Sequence, residues 1–201
     1  GPNGVVDDVA ENEKEAMIMT KKFLSFMPNS INELPKRKLS RDKVSRKDKF
    51  LLSVIPRNKR ESYDIIPIIK SVVDKSSFFE IGRKYGLSVI SGFARLNGYP
   101  VIILANNPQV YGGGWTSSAS KKIIKYANTV DEIWHAGDVG DVTIIDRLKE
   151  IKPLRGVYGN IDNHEIRKEL PLDCKFYCEN IYVWITHIGG YPNRYKQRIQ
   201  E

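Results

Sequence analysis

Asp138, Asn160 and His187 are the residues of this chain whose types could do chemistry together. A carboxylate can bridge two divalent ions, an amide oxygen adds a neutral hard ligand, and an imidazole nitrogen suits Mn, Fe, Ni or Zn. Two such ions ~3.5–4 Å apart would clamp a phosphate and supply a hydroxide nucleophile. His135, Asp162 and His164 lie close by in sequence. His164 reads as a surface residue. His135 reads equally as a packed histidine at a strand end or as a group that supports a ligand.

The elements that must position these residues show in the pattern around them. Residues 131–136, with Ile133 and Trp134, read as a strand ending at Gly137-Asp138. Residues 142–151 carry Ile144, Ile145 and Leu148 at helical spacing. Residues 155–158 read as a strand ending at Gly159-Asn160, and residues 181–186 as a strand ending at His187. Strand, helix and strand alternate, and the candidate ligands fall at strand ends, where an α/β layer places its site. Cys174 and Cys178, the only cysteines, read as packed in or near a strand in a reducing compartment rather than as metal ligands.

The earlier part follows a different pattern. Acidic residues from Asp7 to Glu15 precede Ala16, Met17, Phe23, Leu24 and Met27, a helix whose charges suit its dipole and which Pro28 ends. Residues 63–74 carry an apolar helical stripe, with Pro67 near the first turn. Residues 87–96 and 99–105 read as strands joined by Asn97-Gly98, a strong hairpin signal. The glycines Gly112, Gly113 and Gly114 read as a plain turn, and residues 119–128 as a helix.

The formal net charge is +8, unevenly spread. Residues 36–49 hold eight basic residues against Asp42 and Asp48, with Leu39 and Val44 the only aliphatics. This run reads as a solvated linker rather than a phosphate-binding strip, so nucleic acid is not the expected partner. No apolar run approaches the ~18–20 residues of a membrane span, and the N-terminus is acidic. The expectation is a cytoplasmic protein without a membrane partner.

Two resemblances organise these readings. Tyr63-Asp64, Ser71-Val72-Val73-Asp74, Phe78-Phe79-Glu80-Ile81, Gly92-Phe93-Ala94-Arg95, Asn97-Gly98, Ala105-Asn106-Asn107-Pro108 and Gly112-Gly113 occur in that order. Together they resemble the start of the second domain of the biotin-dependent acyl-CoA carboxyltransferases. Residues 10–16 and 23–28 resemble the last helix of that family's first domain, so the match spans about residues 4–120. It implies a crotonase-like fold, an oligomer, and carboxyl transfer between carboxybiotin and an acyl-CoA. That chemistry makes an enolate and needs backbone N–H donors on glycine-rich loops.

His-Ala-Gly-Asp (135–138), Gly-Asn-Ile-Asp (159–162) and Thr-His-Ile-Gly-Gly (186–190) resemble the calcineurin-like metallophosphoesterases, above all their small bacterial phosphodiesterases. This match spans about residues 122–195. The resemblance makes Asp138 the bridging metal ligand, Asn160 a ligand on the phosphate side and His187 a ligand. Asp162 would orient neighbouring His or Asn side chains, with His135 in a similar supporting place. The substrate would be a phosphodiester. The family's Asp-x-His and Gly-His-x-His motifs have no counterpart here.

The expected architecture is therefore α/β. A fragment of a crotonase-like carboxyltransferase domain is followed by a fragment of a metallophosphoesterase α/β sandwich. Residues 1–35 would close the first carboxyltransferase domain, 36–50 form the basic linker, 51–120 open the second domain, and 121–201 be the truncated metallophosphoesterase domain. The expected function is a fusion with little or no full parental activity. The alternatives are a residual metal-dependent phosphodiesterase using Asp138, Asn160 and His187, or a non-catalytic binding module using the linker. A divalent metal (Mn, Ni, Fe or Zn) would be held weakly, and biotin and acyl-CoA would not be bound productively. The strand at 101–105 could also stand in for the phosphoesterase's first strand, with Asn106 in the place of its aspartate.

Overall fold

A computed structural model describes residues 1–43, 45–58, 60–191 and 194–200. Val44 of the basic run lies outside the described residues. The chain separates into two compact units, Gly1–Tyr126 and Ala127–Glu201.

The first unit begins with acidic residues and helix α1, Glu13–Leu24. Asn12 caps it, its Oδ1 accepting from Glu15 N at 2.9 Å, and Lys21 and Lys22 occupy the last turn. The apolar side of α1 finds its partner far along the chain. Phe23 and Phe26 pack on Phe93 with ring centroids 5.6 and 5.5 Å apart. Further up, Asp7 Oδ1 accepts from Lys125 Nζ at 2.8 Å, and Arg83 donates to Asp8 at 2.6 Å.

Helix α2, Ile66–Val72, carries Pro67 in its first turn, where a missing N–H costs nothing. Strands β1 (Phe79–Glu80), β2 (Val89–Leu96) and β3 (Tyr99–Asn106) form an antiparallel sheet in that order. Asn97 and Gly98 join β2 to β3 with φ of 49° and 84°, the left-handed pair that a two-residue hairpin requires. Ile69, Val73, Phe78, Ile90 and Ala94 make one buried cluster. Val89, Ala119 and Ile123 make a second, under helix α3 (Ser117–Ala127).

Two buried cations hold this unit together. The guanidinium of Arg95, 5% exposed, donates to Ser25 O at 2.5 Å, Gly98 O at 2.7 Å and Lys36 O at 3.2 Å. Lys122, 2% exposed, donates from Nζ to Val89 O at 2.7 Å. The basic segment is correspondingly docked rather than wholly solvated. Arg46 donates to the carbonyls of Ser71 and Val73, Arg37 Nε donates to Asn97 O at 3.0 Å, and Lys38 N donates to Gly98 O at 3.0 Å. The remaining basic residues of the run stay exposed.

In the second unit, β4 (Ile133–His135) and β5 (Leu154–Gly156) pair in parallel, joined by α4 (Val142–Ile151). A parallel pair needs such a crossover. Asp141 caps α4, its Oδ1 accepting from Thr143 N at 2.8 Å. Helix α5 (His164–Glu169) follows, with the exposed His164 at its first position. Ile145, Ile166, Val139 and Leu170 form the buried core. Strands β6 (Asp173–Cys178) and β7 (Ile181–Thr186) form a hairpin, and Phe176 meets Trp134 edge-on at 5.1 Å. The chain continues with β8 (Gly190–Tyr191), β9 (Arg194–Tyr195) and α6 (Gln197–Gln200).

Three sequence expectations change. β6 is a strand beyond those the sequence pattern predicts, and Cys174 and Cys178 lie within it. α1 begins at Glu13, so the acids before it form an extended lead. β3 does not stand in for a phosphoesterase strand. Its ladder runs along β2 from Leu96↔Tyr99 to Val89↔Asn106, and β4 pairs with β5.

Candidate metal centre

The three candidate ligands of the second unit come together. Asp138 follows β4, Asn160 follows β5 and His187 follows β7. Nε2 of His187 lies 3.3 Å from Asp138 Oδ1 and 3.2 Å from Asn160 Oδ1. Nδ1 of the same ring lies 2.7 Å from Ala136 O. A carbonyl only accepts, so Nδ1 carries a hydrogen. Nε2 faces two further oxygens. A proton or a metal ion at Nε2 satisfies both, and turning the Asn160 amide to donate from Nδ2 satisfies a neutral ring on that side. The side chains of His187 and Asp138 are 25% and 35% exposed, so an ion can reach them.

Glycines allow the convergence. Asp138 adopts φ 56°, after Gly137 at φ 96°. A Cβ on Gly137 would stand 2.6 Å from His187 Nδ1, and one on Gly159 would stand 1.9 Å from Asp138 Oδ1 and 2.4 Å from its backbone N. Gly159→Ala is therefore expected to push Asp138 aside. It should destabilise the unit by about 1–3 kcal/mol and abolish any metal-induced rise in its melting midpoint. Retention of that rise in the variant would contradict the geometry.

Asp162 is buried, and its oxygens accept from Gly159 N at 2.7 Å and Gly140 N at 2.8 Å. Burial works against its charge. Backbone N–H groups of Gly159, Gly140 and Val139, helped by His135, outweigh burial and hold the carboxyl below its ordinary pKa. It thus ties the loop after β4 to the loop after β5, and its oxygens are spent on backbone rather than on a histidine or asparagine. His135 Nδ1 accepts from Gly137 N at 3.2 Å. Burial, with the nearby His187, pushes its pKa down against the pull of Asp162 and Asp138, which favours the neutral ring needed for that bond. Arg167 was not singled out from sequence. It donates to Asp162 O at 2.8 Å and Asn160 O at 3.4 Å and lies over Tyr158, bracing the second loop from α5.

The donor set fits one ion better than two. It supplies a single carboxylate, an amide oxygen and an imidazole. Among the described residues no group of three or more His, Cys, Asp and Glu side chains gathers as a metal cluster. The glycine turn of the first unit is occupied by local bonds. Gly113 N donates to Val110 O at 2.9 Å, Gly114 N donates to Tyr111 O at 3.1 Å, and Asn106 Nδ2 donates to Gly113 O at 3.0 Å.

The family model of the carboxyl transferase domain matches residues 1–133. The chain belongs to the carboxyl transferase family. A second model, the calcineurin-like phosphoesterase superfamily domain, matches residues 116–201, so the two overlap over residues 116–133, which hold α3 and the first residue of β4 of this carboxyl transferase chain. The propionyl-CoA carboxylase beta chain of Cereibacter sphaeroides is 27% identical over 162 residues, 81% of this chain and 31% of that protein. The human mitochondrial propionyl-CoA carboxylase beta chain is 29% identical over 162 residues, 81% of this chain and 29% of that one. Among solved structures, a transcarboxylase 12S hexamer with hydrolyzed methylmalonyl-coenzyme A bound superposes with a TM-score of 0.61 at 26% identity, covering 76% of this chain and 34% of its own. The chain spans about a third of the length of these curated relatives. The α/β fold is thus a crotonase-like carboxyltransferase fragment followed by part of a phosphoesterase α/β sandwich.

Proposed function

We propose that this chain falls short of both full parental activities and that its remaining chemistry is the binding of one divalent ion by Asp138, Asn160 and His187. The observation that carries this reading is the convergence of Asp138 Oδ1 and Asn160 Oδ1 on Nε2 of His187. Three donors with one negative charge suit a single Mn, Ni, Fe or Zn ion, held weakly. Such an ion, when bound, acidifies a coordinated water and polarises a phosphoryl oxygen. The protein's own part is to hold Asp138 in its left-handed conformation, to keep the approach open at Gly137 and Gly159, and to fix both loops through Asp162.

Slow hydrolysis of a phosphodiester would use the same three residues. Biotin and acyl-CoA are not proposed as productive ligands, because the N–H groups of Gly113 and Gly114 are already donated to local carbonyls. The functional division follows the resemblances: 1–35, 36–50 and 51–120 carboxyltransferase-like, 121–201 phosphoesterase-like. The transcarboxylase 12S relative assembles as a hexamer, and self-association through the first unit is the corresponding proposal here. Among the described residues no helix is long and apolar enough to cross a membrane, and both cysteines are free, which suits a reducing, cytoplasmic setting.

Thermal melts with and without Mn²⁺ test the metal reading. Ion at ~100 times its Kd should stabilise the second unit by about 2.7 kcal/mol, and Asp138→Ala or His187→Ala should remove the shift. A midpoint unmoved by Mn²⁺, Ni²⁺ and Zn²⁺ alike would overturn the proposal. A shift that survives Asp138→Ala would place the ion elsewhere.

A further inference from the structure

We propose that the cleft between α1, the basic linker and the turn after α2 binds a small, multiply charged phosphate-bearing anion. The cleft encloses about 410 Å³, walled by the end of α1, residues 38–42 and the turn at 74–77. An adjoining hollow of about 470 Å³ shares Lys22, Asp74, Lys75 and Ser76 with it and adds Lys70. Six cations therefore line the two hollows: Lys22, Lys38, Arg41, Lys70, Lys75 and Arg95, the last already bound to carbonyls. This lies in the first unit and is independent of the metal centre.

The carboxylates on the same walls are already used. Asp42 accepts from Arg46 and from Lys75 N, and Asp74 accepts from Asn97 N at 2.9 Å and Gly98 N at 2.7 Å. Among the described residues no ion pair joins Lys38, Arg41, Lys70 or Lys75 to a carboxylate. Lys22 Nζ has only a carbonyl, Phe78 O at 3.2 Å, and a ring face, Phe79 at 5.6 Å. Burial first, and then the charge of Lys70, push its pKa down.

The hydroxyls of Ser40, Ser76 and Ser77 line the main cleft. Ser40 and Ser77 accept backbone N–H bonds, which leaves their O–H groups to donate. Ser76 at the rim holds φ 59°, a conformation that non-glycine residues keep only under constraint. Lysines in the last turns of α1 and α2 complement helix dipoles. That accounts for Lys22 and Lys70 but not for Lys38, Arg41 and Lys75. Point-charge ammonium groups and hydroxyl donors suit phosphate oxygens, and the size is that of a small-molecule pocket rather than an open strip.

The experiment is calorimetric titration of the whole chain with inorganic pyrophosphate at fixed ionic strength. Saturable binding of one pyrophosphate is expected. Lys70→Gln and Lys75→Gln, both exposed and free to fold, should each weaken it about fivefold. Lys168→Gln, on α5 of the other unit, should leave it unchanged. A parallel titration uses a single-stranded oligonucleotide. The absence of saturable pyrophosphate binding overturns the proposal, as does equal weakening by Lys168→Gln. Oligonucleotide binding that pyrophosphate does not displace also overturns it and assigns the cations to nucleic acid.

Discussion

Arg95→Leu should cost the first unit about 3–5 kcal/mol, read as a fall in the denaturant midpoint. The side chain is buried, and its guanidinium gathers Ser25 O, Lys36 O and Gly98 O while stacking over Phe26 at 5.0 Å. These carbonyls belong to the end of α1, the linker and the β2–β3 turn. Removing the donor leaves Ser25 O and Lys36 O without this partner and Gly98 O with only Lys38 N, and the leucine cannot fill a planar fork's volume. Arg95→Lys should recover only part of the loss, because one ammonium cannot match the fork's geometry. The control is Arg83→Ala, which breaks the exposed 2.6 Å pair with Asp8 and should cost less than about 1 kcal/mol. Equal effects at positions 83 and 95 would remove Arg95 from its place at the centre of the unit.

Lys122 gives the second large effect, through pH. Burial pushes its pKa down to about 8, against the pull of Glu80 and Asp7. An unfolded lysine keeps a pKa of about 10.4. The folded value is the lower one, so stability is fully present above the unfolded pKa and is lost as pH falls toward 8. The full difference is about 3 kcal/mol, of which about 2 kcal/mol should appear between pH 7 and 9.5. Tyr126 sets the upper limit of that window. Burial and Asp7 raise its pKa, so its contribution is present below about pH 10 and lost above it. Urea titrations at pH 7, 8 and 9.5 should show stability rising with pH in this chain and flat in Lys122→Met. A slope that persists in the variant would assign it to another group.

How far the sequence disclosed this depended on the length of each pattern. The β2–β3 hairpin is legible because two apolar runs flank Asn97-Gly98, and the turn's backbone has few other solutions. α4 was legible from Ile144, Ile145 and Leu148. Glycine–polar pairs at strand ends point to the candidate ligands, and the fold places Asp138 Oδ1 and Asn160 Oδ1 beside Nε2 of His187. What did not show were the long-range partners. Nothing near Phe23 or Phe26 announces Phe93, and nothing in a run of lysines and arginines announces that Arg37 and Arg46 will dock. Nor does the sequence announce the burial of Arg95 and Lys122, since burial of a cation is decided by carbonyls that converge from distant segments. β6 does not show because its alternating face is Cys174, Phe176 and Cys178, without the β-branched residues that mark a strand.

The ion pair between Asp7 and Lys125 bears on the order in which the chain can be made and folded. Its two ends lie 118 residues apart in sequence. At ribosomal speeds of about 5–20 residues per second, the acidic start waits roughly 6–24 s before its partner has been synthesised. The sheet can close earlier, because β1, β2 and β3 are complete by Asn106. The N-terminal segment is thus fastened in two steps, first by Gly82 and Arg83 before the sheet is complete and only 42 residues after Arg83 by Lys125.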